Sequence, residues 1–249
     1  MPMNKALRKK WKNAGYRKNM GSAEVVPPPP QKFIRVYHLT SAAFAINDIA
    51  LRRLKIARIL DLNDPFELMA FSFREKRIRK VVRNFKNAYD SHTGLLCFSA
   101  DWTDPVLWSH YGAKHRGICL GFDLKRTRAQ KIQYEDKRVP IEFDEQEGSR
   151  KLDKKLQRLL LQTKFVHWQY EEEHRVFVSL EKAFKEGSLH FFPFDKSLKL
   201  AEVILGPQCT LSLDTVRQLT QEHHPRAVTF KARLAFKFFK VVPDGRTVP

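Results

Sequence analysis

The sequence has few cysteines, a shortage of acidic residues and no long uninterrupted apolar segment. Its three cysteines, Cys97, Cys119 and Cys209, are an odd number and lack C-x-x-C spacing, and the first two lie between apolar neighbours. We therefore expect reduced, buried thiols and no metal site. No stretch approaches the ~18 apolar residues of a membrane-spanning helix, and the basic N-terminus lacks the apolar run of a secretory signal. These absences predict a cytoplasmic protein.

Basic residues far outnumber acidic ones, so the chain is strongly basic. Its 249 residues include 46 Lys and Arg but 27 Asp and Glu, which gives a formal net charge of +19. Residues 1–32 contribute eight basic side chains and one acid, Glu24, so 19 − 7 = 12 positive charges remain on the rest. Such a surface favours phosphate-rich partners, namely nucleic acid, anionic membrane or a dinucleotide. A highly soluble surface with a basic tail is the alternative interpretation.

The composition is otherwise that of a folding chain, with 43% hydrophobic residues and 19 Phe. Residues 1–32 are poor in branched apolar residues and end near four consecutive prolines, 27–30, which favour an extended polyproline conformation. The sequence therefore predicts a basic, Pro-rich, disordered arm over 1–32. A single domain is expected over 33–249, a length that suffices for one substantial core.

Hydrophobic periodicity predicts both strands and helices. Predicted strands cover 33–39, 54–59, 95–98, 117–122, 171–176, 201–205, 227–231 and 234–242, and predicted helices cover 41–50, 73–87, 150–164 and 213–222. Because these elements do not alternate regularly, we expect an α+β fold with a mixed, mainly antiparallel sheet and flanking helices. Two helices, 74–86 and 150–164, have cationic faces that either contact nucleic acid or are simply solvated.

Six short motifs place aromatic, hydroxyl, imidazole and carboxylate groups beside apolar runs. They are YHLT (37–40), NDPFE (63–67), CFS (97–99), WSHYG (108–112), HRG (115–117) and WQYEEEHR (168–175). Mixed motifs of this kind are typical of a pocket wall rather than of a segment selected only for packing. Within the second motif, Asn63, Asp64 and Pro65 predict a turn, with Glu67 capping or pairing.

In this order the motifs resemble those of a prokaryotic family of unknown function that is associated with abortive infection and defence, over about residues 33–242. That family is distantly similar to the ADP-ribosyltransferases, which include DNA-modifying toxins of toxin–antitoxin systems. The resemblance implies a split, ADP-ribosyltransferase-like sheet and NAD as the substrate. It also implies transfer of ADP-ribose to a nucleic acid or protein, and an antitoxin or other defence-system partner.

The resemblance also assigns site residues. ADP-ribosyltransferases carry a His or Arg on the first core strand, then a Ser, Thr or Tyr, then a Glu on a later strand. Here these positions correspond to His38, to Ser99 or Tyr111, and to Glu171 or Glu173. A neutral His can donate to the adenosine side of NAD, and a fixed carboxylate stabilises the positive charge that develops on the ribose as nicotinamide leaves.

Other residues of the motifs are implied to contact NAD. They are Tyr37, Thr40, Asn63, Trp108, Ser109, His110, Arg116 and Arg175. Three of the assigned residues have a structural alternative: Trp108 belongs to the core or the pocket wall, His38 is a hydrogen-bonded residue at a strand end, and Arg175 makes a surface ion pair. Strand alternation would place Glu171, Glu173 and Arg175 on one face.

A second class of function fits the same residues. In this alternative the protein is a non-catalytic module of a defence system that binds a nucleotide or nucleic acid in the same pocket, with affinity supplied by the basic helices and the arm. A nuclease is a weaker alternative, because the sequence has no carboxylate cluster suited to magnesium.

Overall fold

A computed structural model describes residues 25–72, 76–139 and 152–248. Most of the predicted arm, residues 1–24, therefore lies outside the described part. Residues 25–32 form neither helix nor strand, but Val25 packs against the core and the carbonyl of Pro27 accepts a hydrogen bond from Arg35 Nη2 at 3.2 Å. The segment just before the first strand thus lies on the domain.

The described ranges contain five α-helices and thirteen strands. The helices are α1 (Ala42–Leu51), α2 (Lys76–His92), α3 (Pro105–His110), α4 (Lys154–Gln162) and α5 (Leu213–His223). The strands are β1 (Phe33–Thr40), β2 (Arg53–Lys55), β3 (Thr93–Ser99), β4 (Ile118–Lys125), β5 (Gln130–Lys131), β6 (Gln133–Glu135), β7 (Thr163–Phe165), β8 (Glu173–Ser179), β9 (Phe184–Glu186), β10 (Leu189–Pro193), β11 (Leu198–Leu205), β12 (Val228–Leu234) and β13 (Val241–Pro243). None of the described helices has the length and apolarity needed to cross a membrane.

Eight strands form one curled sheet in the order β13-β12-β11-β4-β1-β3-β8-β5. Its neighbours are antiparallel except for β11 and β12, which are parallel. Two smaller sheets have the orders β2-β10-β9 and β6-β7. The predicted α+β class with a mixed, mainly antiparallel sheet and flanking helices is therefore confirmed.

Three buried clusters connect the sheet to the helices. The first joins the large sheet to α1 and α5 and includes Val36 and Ile49. The second joins β3 to α2 and α4 and includes Ile78 and Leu160. The third surrounds the indole ring of Trp108. The apolar side chains that the amphipathic patterns of α2 and α4 placed inward all belong to the second cluster, which also contains Leu161, a residue that the pattern of α4 did not include.

Several predicted elements have different bounds, and in three of them an apolar run is divided. The helix predicted over 150–164 ends at Gln162, since Thr163 already has extended backbone angles, and Lys164 lies in β7 instead. The strand predicted over 234–242 is interrupted by a turn over 235–240. The strand predicted over 54–59 is short and is followed by a 3₁₀ turn. In each case an apolar run resembled one continuous element although the chain changes direction within it.

The large sheet opens between β1 and β3. The described strands share a single residue pair, Tyr37 opposite Ser99, and then separate. Farther along β3, Ala57 takes the place of β1 as the hydrogen-bonded neighbour. Between these two points the carbonyl of Cys97 accepts a hydrogen bond from Nδ1 of His38 at 3.2 Å. If β1 and β3 were paired along their whole length, a backbone N–H of β1 would bind the Cys97 carbonyl. The imidazole of His38 provides that hydrogen bond instead.

Candidate active site

A cavity of ≈ 180 Å³ occupies the opening between β1 and β3. All five residues that the resemblance assigned to catalysis line it: His38, Ser99, Tyr111, Glu171 and Glu173. The remaining wall is formed by Tyr37, Leu39, Ala57, Leu62, Asn63, Glu67, Cys97, Phe98, Leu107, Lys164 and Arg175. Segments that are far apart in the sequence therefore meet at one concave site.

Five charged side chains form a buried network along one side of the cavity. Arg175 donates to both oxygens of Glu67 at 2.6 and 2.9 Å and to both oxygens of Glu173 at 2.7 and 3.0 Å. Lys164 Nζ lies 2.5 Å from Glu171 and 3.4 Å from Glu173. We call these five residues the charge network. Each is at most 7% exposed, so Arg175 is not in the surface ion pair that one interpretation of the sequence allowed.

The NDPFE turn places Glu67 in this network. As the sequence predicted, Asp64 organises the turn: its Oδ1 accepts from the backbone N–H of Phe66 at 2.8 Å and its carbonyl accepts from that of Glu67 at 3.0 Å. The next residue, Leu68, has φ 61, a left-handed conformation that is unusual for a branched side chain. The predicted pairing of Glu67 is with Arg175, 108 residues away in the chain.

The two glutamates of the last motif reach the cavity by a route that the sequence did not predict. Glu171 ends a 3₁₀ helix, Val166–Glu171, so the strand predicted over 171–176 in fact begins at Glu173. Between them Glu172 has φ 43. With this left-handed residue between them, both flanking glutamates line the cavity while Glu172 is exposed.

The charge network carries surplus negative charge. Three carboxylates and two cations sum to −3 + 2 = −1 when all are ionised. Burial favours the neutral form of Glu173, but Arg175 and then Lys164 oppose this and lower its pKa to about 2. For Glu171 burial outweighs Lys164, so its pKa is raised. Burial lowers the pKa of Lys164, but Glu173 and Glu171 more than compensate and raise it.

We expect the two glutamates to titrate separately. In an NMR titration of ¹³C-labelled glutamate side chains, Glu173 should stay ionised to about pH 2, whereas Glu171 should titrate above the ordinary value of 4.5. Because the pKa of Glu173 is lower in the folded state, its stabilisation is complete above pH 4.5 and is lost as the pH falls towards 2. That stabilisation is of the order of 3 kcal/mol, at 1.36 kcal/mol per unit.

Glu171→Gln and Glu173→Gln variants assign the two resonances. Coincident titration of both carboxyl groups near 4.5 would contradict the arrangement of the charge network.

His38 is held as a neutral imidazole. Burial lowers its pKa, although the hydrogen bond to Cys97 opposes this. Since a carbonyl only accepts, Nδ1 carries the proton in the neutral ring, and Nε2 presents a lone pair. This corrects the expectation that His38 donates to a ligand: its N–H is already bonded to the protein, and its other nitrogen can only accept.

Tyr111 and Ser99, the two candidates for the hydroxyl-bearing catalytic position, have different environments. Tyr111 donates a short hydrogen bond to Glu171 Oε1 and accepts one from Asn63 Nδ2 at 2.9 Å. The Ser99 hydroxyl donates to the carbonyl of Asp101 at 2.7 Å and accepts from its N–H at 3.0 Å. Of the two hydroxyls, that of Tyr111 therefore contacts a candidate carboxylate, whereas that of Ser99 maintains a local turn.

Five residues implied as NAD contacts do not line the cavity: Thr40, Trp108, Ser109, His110 and Arg116. Trp108 is fully buried and its indole N–H donates to the Trp102 carbonyl at 2.7 Å, so it is a core residue. His110 and Arg116 are exposed. Tyr37, Asn63 and Arg175 do line the cavity, but the Tyr37 hydroxyl interacts with buried Glu202.

Ser109 is paired with His115, at 3.2 Å from its Nε2. The Ser109 hydroxyl also donates to the carbonyl of Pro105 at 3.0 Å. With its only proton used there, the serine accepts from the imidazole, which is the reverse of the proton transfer that activates a nucleophile. This pair stabilises the turn after α3.

Lys164 is the charged residue of the site that the sequence analysis did not identify. The pattern placed it at the end of an exposed basic helix, whereas it is 7% exposed and contacts both glutamates. It also lies 4.7 Å above the ring of Trp168. No local signal identifies it, because its partners follow it by seven and nine residues beyond a change of secondary structure.

In the described ranges, no group of three or more His, Cys, Asp or Glu could hold a metal ion.

Part of the chain matches a known protein family. Residues 107–176 are similar to a family described as Protein of unknown function (DUF2971). No curated protein and no solved structure matches the chain. The matched segment includes the WSHYG, HRG and WQYEEEHR motifs, whereas YHLT, NDPFE and CFS lie outside it. Similarity to an uncharacterised family is therefore confirmed for this segment, and the relation to defence proteins and ADP-ribosyltransferases stays a prediction.

Proposed function

We propose that the protein is an NAD-dependent ADP-ribosyltransferase that modifies a nucleic acid or a protein side chain, as a bacterial defence or toxin effector. In this proposal the cavity between β1 and β3 receives the nicotinamide–ribose end of NAD. The fold is proposed to be a divergent ADP-ribosyltransferase-like split sheet, which the separation of β1 from β3 supports.

The observation that carries the proposal is the sign of the charge in the cavity. The protein as a whole is strongly basic, at +19, yet the charge network in the cavity wall has a surplus of one carboxylate. A nicotinamide ring bound to ribose is cationic, and the ribose becomes cationic as that ring leaves. A water-poor site with fixed negative charge stabilises such a transition state.

The proposed reaction assigns a role to each group. The bond between C1′ and nicotinamide breaks, and its electron pair neutralises the pyridinium nitrogen. The acceptor then forms a bond to C1′ and releases a proton to solvent, so the products are nicotinamide, the ADP-ribosylated acceptor and a proton. Glu171 is the proposed carboxylate beside the ribose, because a ribose hydroxyl can replace the Tyr111 hydroxyl as its donor. His38 Nε2 is proposed to accept from the same end of NAD.

The size of the cavity limits what it holds. At ≈ 180 Å³ it is smaller than the ~300 Å³ or more of most ligand sites. The proposal therefore concerns only the nicotinamide and its ribose, with the adenosine half of NAD lying outside the cavity.

Transfer of label from NAD tests the proposal. The protein is incubated with NAD labelled in the adenylate phosphate and with single-stranded DNA, RNA or cell lysate, while nicotinamide release is followed by chromatography. We expect Glu171→Gln to lower the rate by ~10²-fold or more, as loss of a charge-stabilising group does. The matched control is Glu172→Gln, one residue away but exposed, which should leave the rate unchanged. Equal rates in wild type and Glu171→Gln would overturn the site assignment.

A non-catalytic nucleotide or nucleic-acid module is the second candidate. It is favoured by one observation, that every oxygen of the three carboxylates already has a donor within the protein. For this candidate we expect salt-dependent nucleic-acid binding without release of nicotinamide. That binding should be the same in wild type and Glu171→Gln.

A further inference from the structure

The turn between β12 and β13 exposes two aromatic rings. Phe236 is 91% exposed and Phe239 is 98% exposed, and the residues around them, 231–240, include four cations and no acid: Lys231, Arg233, Lys237 and Lys240. We call residues 233–240 the aromatic turn. Leaving aromatic rings of this size exposed to water is unfavourable. Neither phenylalanine belongs to a residue pair between β12 and β13.

Hydrogen bonds attach the aromatic turn to the wall of the cavity. The N–H of Val241 donates to the carbonyl of Thr103 at 2.8 Å. Lys240 Nζ donates to the side chains of Asp101 and Thr103 at 3.2 and 2.8 Å. The N–H of Asp101 in turn donates at 3.0 Å to Ser99, which lines the cavity. A partner held by the turn would therefore be held beside the candidate active site.

We propose that the aromatic turn binds single-stranded nucleic acid, with bases stacked on Phe236 and Phe239 and phosphates contacted by Arg233 and Lys237. This inference rests on the proposed function, since it names single-stranded nucleic acid as the acceptor brought to the cavity. Stacking on exposed rings with nearby cations is the usual mode of sequence-tolerant single-strand binding. The guanidinium of Arg233 lies 4.6 Å from the centre of the Phe236 ring. A positive charge is therefore present beside one of the two exposed rings.

The charges of the aromatic turn favour this occupant over two others. Lys237 lies between the two rings in sequence and is exposed, so insertion of both rings into lipid would carry its ammonium towards the hydrocarbon, which is unfavourable. The N-terminal segment 1–24, with seven Lys or Arg and one acid, has the same sign of charge as the turn and is repelled by it. A polyphosphate backbone has the complementary sign.

Fluorescence anisotropy with the full-length chain tests the proposal. The probes are a labelled 20-nucleotide dT strand and a 20-base-pair duplex, because a duplex keeps the phosphates but hides the base faces. We expect Phe236→Ala/Phe239→Ala to weaken single-strand binding by ~10-fold or more and to change duplex binding by less than about 2-fold. Lys237→Glu should weaken binding of both probes, since it removes a phosphate contact.

Phe44→Ala is the matched control, because Phe44 is an exposed phenylalanine on α1, at 68%, and its variant should bind like wild type. An equal loss for strand and duplex in the double variant, or no loss for either, would overturn the proposal. So would unchanged oligonucleotide binding together with reduced co-sedimentation on phosphatidylserine vesicles, which would assign the turn to membranes. These measurements use no NAD, so single-strand binding through the turn can hold even where ADP-ribose transfer is not observed.

Discussion

Replacement of Arg175 by Met is expected to lower the free energy of unfolding by about 3–5 kcal/mol, the usual effect of removing one partner from a buried ion pair. Arg175 is 1% exposed and donates four hydrogen bonds to Glu67 and Glu173. Without it, both carboxylates lose their main donor, and Lys164 is left as the cation of the charge network. The measurement is urea denaturation followed by far-UV circular dichroism.

Two further variants separate this effect from loss of side-chain volume. Arg175→Met/Glu67→Gln/Glu173→Gln removes the same cation together with two of its carboxylates, so it should be more stable than Arg175→Met alone. Arg246→Met removes an exposed arginine that binds Asp244 at 2.8 Å and should leave the unfolding curve unchanged. If Arg175→Met and Arg246→Met gave the same midpoint, the charge network would not contribute to stability.

Replacement of Lys164 by Met should impair both stability and the proposed activity. It leaves three carboxylates with one cation, −3 + 1 = −2, and removes the donor that lies 2.5 Å from Glu171. We expect a loss of roughly 3 kcal/mol of unfolding free energy at neutral pH and a further rise in the pKa of Glu171. Because a protonated Glu171 cannot stabilise a cationic ribose, the rate of ADP-ribose transfer at neutral pH should fall and its acid limb should move to higher pH.

The pH dependence of stability gives a check that is independent of activity. In Lys164→Met the folded-state pKa of Glu171 lies farther above its unfolded value. Its favourable contribution is therefore complete below about pH 4.5 and is lost as the pH rises through the folded pKa. The variant should be closest to wild type near pH 4.5 and deviate increasingly at higher pH.

A second substitution and a control complete this test. Lys164→Met/Glu171→Gln should recover much of the stability, because the surplus carboxylate is removed. The matched control is Lys199→Met: Lys199 also lies over an aromatic ring, Phe33 at 4.9 Å, but it is exposed. Identical pH profiles for Lys164→Met and Lys199→Met would refute the pairing of Lys164 with Glu171.

Much of the fold follows from patterns that span a few residues. The periodicity of 73–87 predicted α2, and the buried Ile78 and Val82 confirm the face that it packs. The turn at Asn63–Pro65 was predicted from the backbone-bonding capacity of Asp64, and that hydrogen bond is present. Such features are readable because the residues that determine them are neighbours in the chain.

The same local reasoning failed where a strand-like sequence pattern is also compatible with a turn or a 3₁₀ helix. The run LAFKFF, residues 234–239, has the composition of a strand, yet the chain turns there and exposes Phe236 and Phe239. The EEE run suits a strand as well, but Glu172 is left-handed and separates a 3₁₀ helix from β8. Propensity alone cannot distinguish these outcomes, since tertiary packing overrides it.

The order of the polar motifs along the chain, its positive charge and the α+β class could all be derived from the sequence, because composition and short-range periodicity contain them. The meeting of Glu67, Lys164 and Arg175 could not. It depends on the separation of β1 from β3 and on the pairing of β3 with β8, which brings together residues up to 108 positions apart. Burial and the neighbouring charges then act in opposite directions on the pKa of Glu173 and of Lys164, and both effects exist only in the folded chain.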